Sequence, residues 1–355
     1  VTALSLDASA HLRPRLTVML LAMLLPAACV ERRERIVVAP EGLVEIEVIH
    51  RSEDLVDLFE GDAIPDAEGG WVTALREEID AEGRVRHLLE ARRSVLPGEE
   101  LPWRYGSPAA RRTAPVLRFP TELRIEQRRD GTWYHFRRVY QPRRWADLGA
   151  LAESPPAKRL REFSGLDAPN ASTETFDQLA RALVDLQSKR TLLLARRAFL
   201  TTATHAPQDG WLRVDAAMHR LAGELDARAI VEEFQLATRI ENEAKRTAAI
   251  QKALQRLERS VDERLSLAIR EECGFGAPEL ASFLGALESE RQEALITEDL
   301  ADDDFEIVVV MPGEIMGSNG RASATPGESS VRWSFRGDTL FDRTVELLVS
   351  SRVRG

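Results

Sequence analysis

Apolar and polar positions alternate cleanly early in the chain. Val44, Ile46 and Val48 fall on one side of an extended segment, and Glu45 and Glu47 fall on the other. That period of two predicts a strand with one buried face. The pattern places strands at Ile36–Val38 and Leu43–His50 around the turn Ala39-Pro40-Glu41-Gly42, with the charged run Glu31–Arg35 as a solvated spacer ahead of them. Leu55, Leu58 and Phe59 suit a single helical turn. Two hairpins follow: Trp71–Ile79 with Arg84–Val95, and Leu117–Arg128 with Thr132–Tyr140 across Asp130-Gly131. Asp-Gly tolerates the positive φ angles of a tight hairpin turn. Pro97, Pro102, Pro108 and Pro115 make the stretch between the hairpins a loop, because proline cannot donate to a sheet.

At Trp145 the period lengthens from two toward three and four. Short helical pieces are predicted around Pro155 and Pro156, then a long helix capped at Ser172 or Thr173. It carries Phe176, Leu179, Leu183, Leu186 and Leu193 at helical spacing and ends near His205, Pro207 and Gly210. A second run extends from Val214 to about Glu272, with a break near Gly223. Its later half bears the stripe Ile250, Leu254, Leu257, Val261, Leu265 and Ala268, with Gly274 placed as a C-cap. A shorter helix spans Pro278 to about Ile296, and the acidic run Glu298, Asp299, Asp302, Asp303 and Asp304 reads as a solvated connection. Strand character then returns at Phe305–Met311, Val331–Phe335 and Arg343–Arg352, with a loop at Ser318-Asn319-Gly320 to Pro326-Gly327 and a turn at Gly337-Asp338.

Three or four C-terminal strands alone make a marginal domain. The expectation is therefore an α+β fold: an antiparallel β domain built from N- and C-terminal segments joined in one sheet, with a long helical-hairpin insertion. The divisions are residues 1–28 as a signal peptide, 29–35 as a tether, 36–144 and 305–355 as the two parts of the β domain, and 145–304 as the insertion.

The leader adds an address. Arg13 and Arg15 precede the apolar run Leu16–Leu25, and Ala27 and Ala28 close it, the three parts of a secretion signal. A membrane span needs about 20 apolar residues; this run is broken by Pro26 and followed by charge. Leu25-Pro26-Ala27-Ala28-Cys29 resembles the lipobox of bacterial lipoproteins, departing from it in having Pro26 where the family usually has Leu. The resemblance implies cleavage before Cys29 and acylation of Cys29 by diacylglyceryl and fatty-acyl (palmitate-type) chains. Each buried methylene contributes about 0.8 kcal/mol, so two or more chains hold a protein stably at a membrane. Val30, rather than Asp, follows the cysteine; on the proteobacterial pattern this implies an outer-membrane lipoprotein facing the periplasm. An ordinary cleaved signal and an uncleaved anchor are the alternatives. Met311-Pro312-Gly313, Asn319, Val331-Arg332-Trp333-Ser334-Phe335 and Ser350-Ser351 further resemble the end of an α/β domain of bacterial membrane lipoproteins, which implies a hydrophobic-cavity or lipid-associated module and no catalytic residue.

Composition changes this picture little. The chain of 355 residues carries a net charge of −10, and the part after residue 28 carries −11. With Cys29 acylated, Cys273 has no disulfide partner, and a packed thiol at a helix end is expected. No His-Glu-x-x-His, phosphate-cradling glycine loop, Gly-x-Ser-x-Gly or cysteine nucleophile with a partner occurs. His205 and His219 lack a third ligand, so no metal site and no cofactor is predicted.

Charge is uneven. Residues 84–144 hold fifteen arginines, no lysine and six acids, a net of +9. Within the segment, Trp133, His135, Arg137 and Val139 share one strand face, and Tyr134, Phe136, Arg138 and Tyr140 share the other. Two readings stand. Arg128, Arg129, Arg137 and Arg138, with Tyr134 and Phe136, contact anionic headgroups or another anionic ligand; or the arginines pair with acids of the helical block, arginine outnumbering lysine 44 to 4 throughout the chain. Nucleic acid is an unsuitable partner for an exported acidic chain. The sequence thus predicts an envelope-anchored, non-enzymatic binding or scaffolding module for lipid or another envelope protein. The alternative is an envelope hydrolase whose acid and base are carboxylates far apart in sequence.

Overall fold

The structure, a computed structural model, describes residues 30–59, 64–80, 83–106, 116–163, 173–203, 209–222, 229, 232–233, 236–237, 240, 242–322 and 329–355. Contacts divide the chain into a β unit, within residues 27–149 and 292–355, and a helical unit, within residues 150–291.

The β unit contains β1 (Glu31–Val38), β2 (Val44–Ser52), β3 (Val72–Ile79), β4 (Val85–Val95), β5 (Thr121–Arg128), β6 (Gly131–Tyr140), β7 (Asp304–Val310), β8 (Glu314–Ser318), β9 (Arg321–Ala322), β10 (Ser330–Arg336) and β11 (Val345–Val353). They form a seven-stranded sheet in the order β3-β4-β2-β1-β7-β10-β9 and a four-stranded sheet in the order β5-β6-β11-β8. The pairing of β1 with β7 is parallel, and the other pairs are antiparallel. Parallel neighbours need a long crossover, and here the chain between β1 and β7 includes the whole helical insertion. The N- and C-terminal segments do combine, but in two sheets rather than one. Each sheet takes strands from both segments.

Alternation explains the core. Ile36, Val48, Phe305, Ile307 and Val309 from the larger sheet and Tyr134, Phe136, Tyr140, Leu347 and Val349 from the smaller sheet belong to one buried cluster. Each such apolar side chain contributes about 1.5–3 kcal/mol on burial. The β5–β6 hairpin turns through Arg129-Asp130, one residue earlier than expected; Gly131 opens β6 opposite Arg128 at φ 129°, where an added Cβ would fall 2.1 Å from the Val353 carbonyl oxygen. No other residue fits there.

Three expectations need correction here. Glu31–Arg35 is not a spacer but the first half of β1, hydrogen-bonded to both β2 and β7. Two short strands were not expected, β9 within the stretch from Ser318 to Gly327 read as a loop and β8 just ahead of it; they form because Glu314 and Ser318 find partners on β11 and Arg321 on β10. Asp303, expected in a solvated connection, is buried.

The helices are α1 (Ala146–Ala152), α2 (Pro155–Phe163), α3 (Thr173–Thr202), α4 (Gly210–Ala222), α5 (Glu243–Cys273) and α6 (Ala277–Ala301); the unit boundaries fall inside α1 and α6. In the helical unit α5 packs against both α3 and α4. Its stripe is the buried face: Ile250, Leu257, Val261, Leu265 and Ala268 are buried and Leu254 is half-buried. Asn242 caps its start by accepting the Lys245 amide at 3.0 Å, and Gly274, at φ 68°, ends it as the spacing predicts. On α3, Phe199 stacks on Phe275 and leans on Trp211. Arg197 pairs with Glu290 of α6 at 2.7 Å.

Candidate functional site

The concentration of chemistry lies inside the β unit, along the inward face of β1. Val30, Arg32, Glu34, Ile36 and Val38 all point inward and are all buried. The apolar members pack. The two charged members each need a counter-charge, because an unpaired ion in an apolar interior is very costly.

Arg32 meets Asp303, with Nε 2.5 Å from Oδ2. The other Asp303 oxygen accepts the Val30 amide at 3.1 Å, so this carboxylate holds the very start of β1 against the end of α6. Burial pushes the Asp303 carboxyl above its ordinary value, against the pull of Arg32 and the Val30 amide. Glu34 meets Arg138 of β6, both side chains closed to solvent. It also accepts from the Tyr105 hydroxyl and, at 3.2 Å, from the Tyr140 hydroxyl. Arg138 donates further through Nε to Thr121 Oγ1 at 2.9 Å and lies 4.7 Å over the Phe119 ring. Burial works against the guanidinium charge, and Glu34 and Tyr140 outweigh it. Burial and the Glu34 charge push the Tyr140 phenol far above its ordinary value, so it stays neutral and donates. The cluster therefore ties β1 in the larger sheet to β6 in the smaller one.

His50 sits beside this system. It is the β2 partner of Arg32 in the β1–β2 register and stands edge-on to Tyr105 at 5.6 Å. It is fully buried, its Nε2 has no hydrogen-bond partner, and burial followed by the Arg32 charge holds its pKa well below 6.5. His50 is a neutral imidazole.

The six residues expected at an anionic contact separate by strand parity. Tyr134, Phe136 and Arg138 are buried between the sheets, where Tyr134 donates to the Pro40 carbonyl at 2.7 Å and Arg138 is consumed by Glu34. They present nothing to a headgroup. The face that carries them with Tyr140 is the core face, and its arginine is there because β1 brings Glu34 opposite. Arg128, Arg129 and Arg137 are exposed. Arg128 pairs with Glu126 at 2.5 Å and lies 4.7 Å over Trp133, and Arg137 pairs with Glu346 at 2.7 Å. Arg84, Arg86 and Arg92 likewise pair with Glu53, Glu31 and Glu47. The partners named here stand on the β unit's own strands and loops.

Arg32, Glu34, His50 and Asp303 were missed by sequence reasoning, yet a signal existed. Arg32 and Glu34 are in phase with Ile36 and Val38, and His50 is in phase with Val44, Ile46 and Val48. Glu34 and Asp303 are carboxylates far apart in sequence that the fold brings inside, and each is held by its own arginine. Cys29 and His205 lie outside the described residues. Cys273, half-buried at the end of α5, has its thiol pushed up, by burial above all. Among the described residues no three His, Cys, Asp or Glu side chains are grouped to hold a metal ion, and no helix is long and apolar enough to cross a membrane.

No family model matches the chain, and none of the curated proteins does. Among solved structures, the NMR structure of the folded domain of LppM from Mycobacterium tuberculosis aligns with 92% of this chain and 91% of that chain, at 12% identity and a TM-score of 0.28. A likeness at that level carries nothing over to this chain.

Proposed function

We propose that the chain is a lipoprotein of the bacterial envelope, held at the membrane by acylated Cys29, and that it acts as a non-enzymatic binding or scaffolding module for lipid or another envelope protein. The outer membrane, periplasmic side, is the proposed address. The leader pattern before Cys29 supports the tether. The observation that carries the reading is at Val30: one residue after that cysteine, the chain is already buried and hydrogen-bonded to Asp303. A tether at Cys29 therefore holds the β unit directly at the bilayer, with no spacer between. The non-enzymatic part is supported by the interior charges, which are engaged in joining β1 to β6 and to the end of α6.

The test is metabolic labelling with an alkyne fatty acid, followed by intact mass and membrane fractionation. The expected result is a labelled chain beginning at Cys29 in the outer-membrane fraction, with Cys29→Ser unlabelled and released. A mature start elsewhere, or label retained in Cys29→Ser, overturns the tether.

A further inference from the structure

The end of the larger sheet from which the chain leads back to Cys29 carries exposed apolar side chains on two neighbouring segments. The first is the segment after β2. Ser52 Oγ accepts the Asp54 amide and Asp54 accepts the Val56 amide, so the backbone curls tightly. Leu58 turns inward to pack with Val30, Leu89 and Ile64, while Val56 and Phe59 stay 52% and 55% exposed. The second is the tip of the β3–β4 hairpin, where Ile79 and Val85 are register partners and Ile79 is 74% exposed.

Register places both at one end. Glu31 of β1 is level with Arg51 of β2, which is level with Leu88 of β4, so Val85 lies three residues further out than the start of β1. At about 3.3 Å per residue the hairpin tip projects roughly 10 Å past that start. Parity puts Val85 on the same sheet face as Leu89, the face on which Val30 is buried. The two segments are joined across Glu53, which pairs with Arg84 at 2.9 Å and Arg86 at 3.6 Å, and Arg86 also reaches Glu31 at the head of β1. Consecutive Cα atoms are about 3.8 Å apart, so Cys29 cannot be far from Val30. Grouped exposed apolar side chains mark an interaction surface, and the neighbour that the tether guarantees is lipid.

We propose that Leu55, Val56, Phe59, Ile79 and Val85 enter the lipid interface beside the acyl chains, as a second membrane contact that fixes the orientation of the β unit. The proposal rests on the reading of Cys29 as the anchor. The apolar side chains are interleaved with acids: Glu53 and Asp80 are held by Arg84 and Arg86, Asp57 accepts from Ser52, and Asp54 is exposed, so the contact gains nothing from anionic lipid and does not depend on it.

The test uses full-length acylated protein in the Cys273→Ser background, spin-labelled at Val56→Cys, Phe59→Cys or Ile79→Cys. Leu96→Cys is the control, since Leu96 is 58% exposed at the opposite end of the same sheet. Protein is reconstituted in pure phosphatidylcholine vesicles and in vesicles containing phosphatidylglycerol. Intact mass first reports acylation of Cys29. The expected result is several-fold lower collision with a water-soluble relaxation agent at positions 56, 59 and 79 than at 96, equal in both lipids. Acylated protein whose three labels are as accessible as position 96 overturns the interface and leaves the anchor standing. Protection only with phosphatidylglycerol overturns it in favour of arginine–headgroup contact. Protection that rises with the protein-to-lipid ratio overturns it in favour of a second copy. An unacylated Cys29 overturns the anchor and the interface together.

Discussion

The two units bury different things. The described interior of the helical unit is apolar apart from Ser188, Thr191 and Arg246, and many of its charges lie outside in pairs such as Lys189–Asp185 and Arg213–Asp209. The β unit buries Arg32, Glu34, His50, Arg138 and Asp303 among its aromatic rings. The difference follows from geometry. A helix turns a charge to solvent within a residue or two, whereas a strand between two sheets sends every second residue inward. A charge at an inward position is tolerated only if the fold delivers its partner. The described interior of the helical unit is held mainly by apolar packing, with half-buried pairs such as Arg197–Glu290 and Arg291–Asp262 beside it, whereas the β unit depends on a specific match of fully buried charges from distant segments.

The largest expected effect tests that match. Glu34→Ala leaves Arg138 charged and unpaired inside, and about 3–5 kcal/mol of β-unit stability is expected to be lost. Glu34→Met with Arg138→Met is expected to cost clearly less than Glu34→Ala, because no orphaned charge remains. Urea unfolding followed by tryptophan fluorescence reads this, since five of the six tryptophans lie outside residues 150–291. A double variant as unstable as the single would show that packing, not pairing, decides this region.

In the helical unit, Leu265→Ala is expected to cost about 3 kcal/mol by transfer and cavity terms alone. Helical circular dichroism is expected to show the earlier transition, while the fluorescence transition of the β unit moves little. Joint movement of both transitions would mean that the units unfold together.

The smallest effect is set by pH. His50 is neutral in the fold because burial and Arg32 depress its pKa, while the unfolded chain takes up a proton near 6.5. The stabilising contribution is full above that value and is lost as pH falls below it, by about 1.4 kcal/mol per pH unit until the folded value is reached. His50→Leu is expected to flatten the difference in urea midpoint between neutral pH and about pH 5.5. An unchanged slope would move the pH dependence to other groups.

Much of the fold was legible because burial leaves a period. The stripe on α5, its Gly274 cap, the β5–β6 hairpin, its turn displaced by one residue, and the return of strands at residue 304 are local patterns, decided within a few residues. The same reading failed at Glu31–Arg35 and at Asp303. Charge there outweighed phase, and no local rule says that Arg32 will find Asp303 or that Glu34 will find Arg138. At the anionic-contact residues the parity was right, but which parity faces solvent was not decided by β6 itself.

What the amino-acid order determined alone is most of the order of elements and the faces that must be apolar, because these depend on spacing along one chain. Only the tertiary structure decided that β1 starts at Glu31, two residues after Cys29, that it lies parallel to β7, and which charges are inside. Those outcomes depend on groups separated by a hundred to nearly three hundred residues. A buried ion is stable only where the whole fold has placed its partner.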